Sequence, residues 1–216
     1  MQLIKTVKTL GLKKFIKHAL YVRHEESVIG GVFNEMKKLS DKETLQLQTI
    51  RKEQQNDLFE YYKQSNIDGQ FPRSRIERYF ANGCKCIIAL KDNRFIGHMW
   101  WCDNKINFKN SDPVLRYMGE TFTLKDEDSL AVDFFIIPEE RGGGTVFEFL
   151  FRVYMKLSKL GYTSCTGMVR QHNKAARWTY ILMGHVEYKK IVVHRIFNYL
   201  VLINKKLYFS PHSLSV

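Results

Sequence analysis

A glycine-rich turn follows the most apolar strand-like segment of the chain. The segment 129–137 is strongly apolar, Pro138 ends it, and Arg141-Gly142-Gly143-Gly144-Thr145-Val146 then opens a stretch with helical periodicity. Glycines let backbone amides approach a ligand closely, and a helix start adds unpaired N–H groups and a positive dipole end. The pattern predicts a pyrophosphate cradle, although three glycines alone are equally compatible with an ordinary turn. Neither a Walker A loop nor a dinucleotide fingerprint is present.

A second group of residues suited to chemistry lies further downstream. Asn173, Ala176 and Tyr180 have the spacing that places all three on one face of a helix. An amide and a phenol could therefore face the same ligand across the small side chain of Ala176, and a phenol can act as a general acid. For this helix taken alone, the favoured interpretation is that Tyr180 is a core aromatic residue with a hydrogen-bonded hydroxyl.

Taken together, the two patterns resemble the signatures of the GNAT superfamily of acyl-CoA N-acyltransferases. The signature Gln/Arg-x-x-Gly-x-Gly/Ala is matched at Arg141 and Gly144, whereas Val146 replaces the final small residue. The signature Asn-x-x-Ala-x-x-x-Tyr-x-x-x-Gly is matched from Asn173 to Gly184, and His185 stands where Phe is usual. The resemblance extends over residues 44–202.

The resemblance implies a fold, a co-substrate and a role for individual residues. The expected fold class is α/β (α+β), a GNAT-like mixed and mostly antiparallel sheet of about six or seven strands, flanked by helices and splayed where CoA binds. Tyr180 is expected to give a proton to the departing CoA thiolate. No metal is expected. The residues expected to contact acyl-CoA are Ile136, Ile137, Arg141, Gly142, Gly143, Gly144, Thr145, Val146, Asn173, Ala176 and Tyr180.

The reaction that the resemblance implies is direct attack of a neutral primary amine on the thioester of acetyl-CoA. It needs an amine kept deprotonated, a proton for the sulfur, and a backbone N–H of the strand at 129–137 to hold the oxyanion. We predict that Asp133 is the general base, while a purely structural role for its carboxylate stays open. The alternatives are Glu120, Glu127 and Asp128, acting through water, and His98 and His185. The acceptor stays open between an amino sugar, a polyamine and a peptide amine.

Hydrophobic periodicity and turn signals predict the elements that position these residues. Before residue 102, the first predicted elements are a strand from Gln46 and a helix at about Asn56–Gln64. A second helix is predicted from Ser74, its N-cap residue, to Ala81, and it is followed by a hairpin of the strands Lys85–Leu90 and Phe95–Trp101. Residues 102–128 are predicted to be a loop with a short strand at Glu120–Leu124. The elements predicted after this loop are the strand Ser129–Ile137, a helix to about Lys159, the strand Ser164–Val169, the helix Lys174–Met183 and a strand pair from Val186 to Leu202.

Composition narrows the class of protein. The chain has 216 residues, of which 44% are hydrophobic and 13% aromatic, and its apolar runs are far shorter than the roughly 18 residues of a membrane span. Its four cysteines lack metal-ligand or disulfide spacing, so we predict free thiols. The lysine-rich start lacks the apolar block of a secretion signal, which favours the cytoplasm. We predict an acyltransferase domain at residues 44–216 and an N-terminal basic extension at residues 1–43.

The net charge of +12 is concentrated at the two ends of the chain. Residues 141–216 hold 12 bases and two acids, which suits the phosphates of CoA. The bases that could reach them are Arg141, Arg170, Lys174 and Arg177. Residues 3–22 have the pattern of a cationic amphipathic helix. That helix either packs on the domain or anchors the protein peripherally on the anionic inner face of a membrane.

Two other functions stay open. One is a non-catalytic basic module that binds nucleic acid or an anionic membrane, and the other is a transferase on the same fold that takes an aminoacyl group from tRNA. The sequence contains no recognised nucleic-acid motif, so no nucleic-acid partner is expected. The expected partners are acyl-CoA and an amine, and the expected assembly is a monomer or homodimer.

Overall fold

The computed structural model describes residues 21–38, 43–104, 113–121, 124–142, 144–196 and 200–209. Its strands are β1 (Tyr21–Val32), β2 (Gln46–Ile50), β3 (Lys85–Lys91), β4 (Arg94–Cys102), β5 (Asp128–Ile136), β6 (Ser164–Arg170), β7 (Val186–Ile196), β8 (Leu200–Ile203) and β9 (Lys206–Phe209). Its α-helices are α1 (Gln55–Gln64), α2 (Arg73–Ala81), α3 (Pro113–Thr121), α4 (Thr145–Lys159) and α5 (Lys174–Leu182).

The strands form one sheet in the order β2-β3-β4-β5-β6-β1-β7-β8-β9. Every neighbouring pair is antiparallel except β5 and β6, which are parallel. The predicted mixed, mostly antiparallel sheet flanked by helices is therefore confirmed. It has nine strands rather than six or seven, because β1 and β9 also join it.

Strand β1 comes from the part of the chain that we predicted to precede the domain. It lies between β6 and β7, pairing with β6 from Glu26 to Val32 and with β7 over most of its length. Gly30 permits this close packing, since a Cβ there would lie 2.7 Å from the side-chain oxygen of Thr166. Within the described residues, the sheet therefore already includes the chain from Tyr21 onward, before residue 43. The predicted amphipathic helix at residues 3–22 otherwise lies outside the described residues.

Two local predictions met different outcomes. The predicted hairpin of β3 and β4 is present, and it turns at Asp92 and Asn93, whose φ values of 50° and 59° are typical of a type I′ turn. The predicted short strand near residue 120 is wrong, because Pro113 begins helix α3 in that region. This helix packs on the sheet through Tyr117 and Met118, which are buried.

Helices cover both faces of the sheet. The core between the sheet and helices α1 and α2 contains Leu58, Ile76 and Trp100, and the core on the opposite face, under α4, contains Phe149 and Val153. We call these the α2 face and the α4 face. All four cysteines are buried and free, as predicted. In the described part of the chain, no helix has the length and apolarity needed to cross a membrane.

Strand β5 contains a bulge that assigns its side chains to the two faces. Trp100 of β4 pairs with Asp133, but the next residue, Trp101, pairs with Ala131, so Val132 is an extra residue. After the bulge Asp133 faces helix α2, whereas the ring of Phe134 lies 5.6 Å from that of Phe149 on the α4 face. The bulge therefore places Asp133 on the α2 face together with Val132, and not on the α4 face with Ala131.

Candidate active site

The sheet splays open between β5 and β6. These strands pair only from Asp128 to Leu130 on β5 and from Ser164 to Thr166 on β6, and then separate. A cavity of about 40 Å³ lies in the gap. Its lining residues come from three strands and two helices and include Ile29, Asp133, Phe134, Met168, Tyr154 and Tyr180, together with His185. The splay predicted between these two strands is therefore present.

A larger groove adjoins this cavity on the α4 face. Its volume is about 250 Å³, and it shares Phe134 and Tyr180 with the cavity. Of the residues predicted to contact acyl-CoA, it is lined by Ile136, Arg141, Val146, Asn173, Ala176 and Tyr180. It is also lined by Phe135, Leu150, Ala175 and Thr179, which sequence reasoning missed. The two segments that carry the sequence signatures therefore meet along one groove.

The glycine-rich turn forms the N-terminal cap of helix α4. Gly144 is the N-cap residue and has a φ of 87°, a left-handed conformation that glycine adopts without strain. The amide of Thr145 donates to the carbonyl of Gly142 at 3.2 Å, and a Cβ on Gly142 would meet open space. The predicted contact residue Gly143 lies outside the described residues. The N-terminal end of the helix dipole therefore lies close to open space at Gly142.

Arg141 and Ile137 are already engaged within the protein. The Nε of Arg141 donates to the carbonyl of Ile136 at 2.9 Å, and its guanidinium lies over the ring of Phe135. The amide of Ile137 donates to the carbonyl of Ile96 at 2.9 Å, so this N–H is not available to an oxyanion. Arg141 keeps further N–H donors at the rim of the groove, where an anion could bind.

The other predicted phosphate ligands lie elsewhere. Lys174 and Arg177 lie on the side of helix α5 away from the groove, in a depression shared with Trp178 and Ile181. Arg177 also donates to the carboxylate of Glu187 at 2.7 Å. Of the four basic residues predicted to reach the phosphates, Arg141 alone lines the groove in the described part of the chain.

Asn173 begins helix α5 and also lines the groove. Its side-chain oxygen accepts a hydrogen bond from the amide of Ala176 at 3.1 Å, which is an N-cap interaction. The Asn–Ala–Tyr spacing therefore has a structural reason in addition to the ligand contact that the family resemblance implies.

Tyr180 lies where the groove meets the cavity. Its ring makes edge contacts with Phe134 and His185, at centroid distances of 6.5 and 5.0 Å. Burial raises the pKa of its phenol above the ordinary value, so the group is protonated at neutral pH. No described residue forms a hydrogen bond with its hydroxyl. The hydrogen bond that a purely structural tyrosine would need is therefore missing, and the proton is available to a ligand.

Asp133 lies in the same cavity and is held from the α2 face. Its Oδ2 accepts from Arg75 Nη2 at 2.7 Å and from the hydroxyl of Tyr79 at 3.2 Å, and its side chain is 15% exposed. Burial raises the pKa of this carboxyl group, while Arg75, Tyr79 and the amide of Phe134 oppose the rise. The predicted base is thus ion-paired, a feature that its strand position did not indicate.

The alternative carboxylates lie away from the cavity. Asp128 accepts from Ser164 Oγ at 2.7 Å in the paired part of the sheet. It is five residues from Asp133, or about 16 Å along an extended strand. Glu127 is exposed beside it, and Glu120 is exposed on helix α3. Of these four candidate carboxylates, Asp133 is therefore the one that lines the cavity together with Tyr180.

Both candidate histidines are buried. His98 is enclosed on the α2 face, where its Nδ1 and the hydroxyl of Tyr62 are 2.8 Å apart, and burial lowers its pKa to about 3. His185 lines the cavity, its Nε2 lies 3.1 Å from the hydroxyl of Tyr154, and burial lowers its pKa to about 4. Both imidazoles are therefore neutral at pH 7.

Comparison with solved structures decides the fold. A GNAT-family acetyltransferase from Colwellia psychrerythraea superposes with a TM-score of 0.53 at 14% identity, over 85% of this chain and 60% of that chain. The protein has the GNAT fold. A functionally unknown conserved protein from Staphylococcus epidermidis gives a TM-score of 0.55 at 13% identity, over 88% of this chain and 64% of that one. This chain therefore spans less than two thirds of the length of each of these two structures.

A third similar structure, a protein from Drosophila, gives a TM-score of 0.52 at 7% identity, over 88% of this chain and 57% of that one. No protein-family model matches the sequence, and no curated protein matches it significantly. At such low identities, the likeness to the GNAT structures is one of fold, and the function has to be argued from the site itself.

Proposed function

We propose that the protein is an N-acyltransferase that transfers an acetyl group from acetyl-CoA to a primary amine. The observation that carries this proposal is the cavity in the splay, which is lined by both a carboxylate, Asp133, and a neutral phenol, Tyr180. It continues into a groove that reaches the N-terminus of helix α4, where an anion is favoured. A base, an acid and an anion site thus share one continuous opening.

The two side chains have complementary roles in this reaction. Asp133 takes a proton from the acceptor's ammonium group, so that the nitrogen lone pair can form a bond to the acyl carbon. The carbon–sulfur bond then breaks, and Tyr180 gives its proton to the sulfur. The nitrogen loses its second proton as the amide forms, and this proton restores the phenol through solvent. The net products are the amide, a thiol and one proton.

The acyl donor enters from the α4 face in this proposal. Its pyrophosphate binds at the turn before helix α4, with Arg141 at the rim, and its pantetheine arm follows the groove along Ile136 and Ala176 to Tyr180. The groove of about 250 Å³ approaches the lower end of the range of small-molecule sites, which is appropriate for the narrow pantetheine arm. The adenosine end would remain largely outside it.

A thermal shift experiment tests the donor site. Acetyl-CoA at a hundred times its dissociation constant should stabilise the wild type by about 2.7 kcal/mol. We expect Gly144→Glu to lose this stabilisation, because the new carboxylate would repel the pyrophosphate at the helix start. The matched control is Gly161→Glu. Gly161 lies at the other end of the same helix and has a φ of 93°. Glutamate at this position therefore adds the same charge and a similar backbone strain, but away from the groove.

The outcomes separate this function from the alternatives. A shift in the wild type and in Gly161→Glu, but not in Gly144→Glu, supports the donor site, and thiol release with amino sugars, polyamines and peptide amines then identifies the acceptor. If no acyl-CoA shifts the wild type, the proposal fails. Salt-dependent binding of RNA or DNA would then favour a basic binding module, and transfer from aminoacyl-tRNA would favour the tRNA-dependent enzyme.

A further inference from the structure

We infer that Arg75 and Tyr79 are positioning residues for Asp133: they hold one oxygen of its carboxylate and leave the other to the acceptor's ammonium group. This inference rests on the proposed function, because it takes Asp133 as the base of that reaction. It assigns a role in the acceptor half of the site to helix α2, which carries neither sequence signature.

The hydrogen bonds to Asp133 are asymmetric. Arg75 Nη2, at 2.7 Å, and the hydroxyl of Tyr79, at 3.2 Å, both donate to Oδ2. The amide of Phe134 also donates to this carboxylate, and in the described part of the chain no side chain donates to Oδ1. A carboxylate has about four lone-pair sites, so Oδ1 can still accept a charge-assisted hydrogen bond. Since Asp133 lines the cavity that Tyr180 also lines, a substrate ammonium there can reach it.

The two positioning residues are themselves fixed. Arg75 Nε donates to the hydroxyl of Tyr79 at 3.1 Å, and Arg75 Nη1 donates to the carbonyl of Gln70 at 3.2 Å. The guanidinium also lies 4.9 Å from the centroid of the Phe71 ring. Tyr79 accepts from Arg75 and donates to Asp133, so its single proton has a defined direction. This triangle of contacts gives the carboxylate one orientation before any substrate binds.

Arg75 also sets the charge balance at Asp133. The other titratable groups that face this cluster are Tyr62 from α1, Cys86 from β3, His98 from β4, and Tyr180 from α5. Burial raises the pKa of the two phenols and the thiol and lowers that of the imidazole, so all four are neutral at pH 7. Within the described residues, Arg75 is therefore the charge that opposes the rise in the pKa of Asp133 caused by burial.

The test is the pH dependence of kcat/KM, with acetyl-CoA as donor and glucosamine, spermidine or glycylglycine as probe amine. Arg75→Gln should move the acidic limb upward by roughly one to three pH units, because an opposite charge at this distance lowers a carboxyl pKa by about that amount. Tyr79→Phe, which removes one oxygen atom, should move it by less. Arg75→Lys keeps the charge and should restore most of the wild-type profile.

The control variant is Arg73→Gln on the same helix. The guanidinium of Arg73 lies over the ring of Phe59 and donates to Asn56, away from Asp133, so the acidic limb should stay in place. The ¹³C signal of the Asp133 carboxyl group, assigned with Asp133→Asn, gives the same titration without turnover. It therefore decides the question even if none of the three amines is acetylated.

Each outcome counts for or against the inference. If the Asp133 titration and the acidic limb are unchanged in both Arg75→Gln and Tyr79→Phe, the cluster is structural and the inference is overturned. Failure of the proposed function is distinct, because it would appear as the absence of any acyl-CoA thermal shift in the wild type. If Arg75→Gln does not fold, Tyr79→Phe and Arg75→Lys still decide the result.

Discussion

The two faces of the sheet build their halves of the site in different ways. On the α4 face, the groove is made from two contiguous stretches, residues 134–150 and 173–180. On the α2 face, Asp133 meets Arg75 and Tyr79, which are 58 and 54 residues away in sequence. The donor half is therefore encoded locally, by a turn and a helix cap, whereas the acceptor half depends on the packing of a distant helix against a strand.

The bulge in β5 is what connects these two halves. Because Val132 is an extra residue, Asp133 faces helix α2 and the next residue, Phe134, faces the groove. In a regular strand, Asp133 would instead lie on the same face as Ala131, two residues earlier, which packs in the core of the α4 face. Donor binding should therefore be lost through substitutions at single motif positions, whereas the acceptor half should also be affected by substitutions far from either motif.

The largest expected effect is on the donor side, at Tyr180. Tyr180→Phe should lower kcat by about 10²- to 10⁴-fold, the usual contribution of a positioned general acid. The acetyl-CoA thermal shift should remain, because the ring and its contacts with Phe134 are kept. Steady-state kinetics beside the thermal shift measures both effects.

A matched control for Tyr180→Phe is Tyr188→Phe, since that tyrosine is 58% exposed on β7. It loses the same hydroxyl group outside the groove and should keep full activity. If kcat of Tyr180→Phe stays within about threefold of the wild type, Tyr180 is not the acid, and the proton must come from another group or from solvent.

The two buried histidines, His98 on the α2 face and His185 on the α4 face, should make the fold less stable in acid. Folded His98 has a pKa of about 3 and folded His185 of about 4, against 6.5 for an unperturbed imidazole. Between these values and 6.5 the unfolded state binds more protons. The stability of the fold should therefore fall as the pH falls from 6.5, by up to about 1.4 kcal/mol per pH unit for each histidine.

Urea unfolding at pH 7 and pH 4.5 checks this prediction. His98→Gln cannot titrate and should lose less stability between the two pH values than the wild type does, although it starts from a lower stability at pH 7. His185→Gln should show nearly the same benefit, since the folded pKa values of both histidines, about 4 and about 3, lie below pH 4.5. An unchanged pH dependence in both variants would mean that other groups cause the acid sensitivity.

The same contrast explains what could be predicted from the sequence. The strand, turn and helix around Gly144 follow from short-range patterns, and these elements match the structure. Strand β1 was missed because the pairing of Glu26 with Arg170 joins segments far apart in the chain. Arg75 was missed for the same reason, since nothing in its local sequence indicates that Asp133 is its partner. Helix α3 was missed because polar residues surround its start at Pro113.

The smallest expected effect separates two roles of Asn173. Asn173→Ala removes the side-chain acceptor of the Ala176 amide and should cost about 1 kcal/mol of unfolding free energy. Asn173→Ser can still cap helix α5 and should recover most of that loss. We expect acetyl-CoA affinity to follow the same order, because a frayed helix start would disturb the groove at Ala176. If serine restores stability but not affinity, as measured by urea unfolding and acetyl-CoA titration, the amide itself must contact the donor. The donor half would then require a specific ligand contact at this position in addition to a properly capped helix.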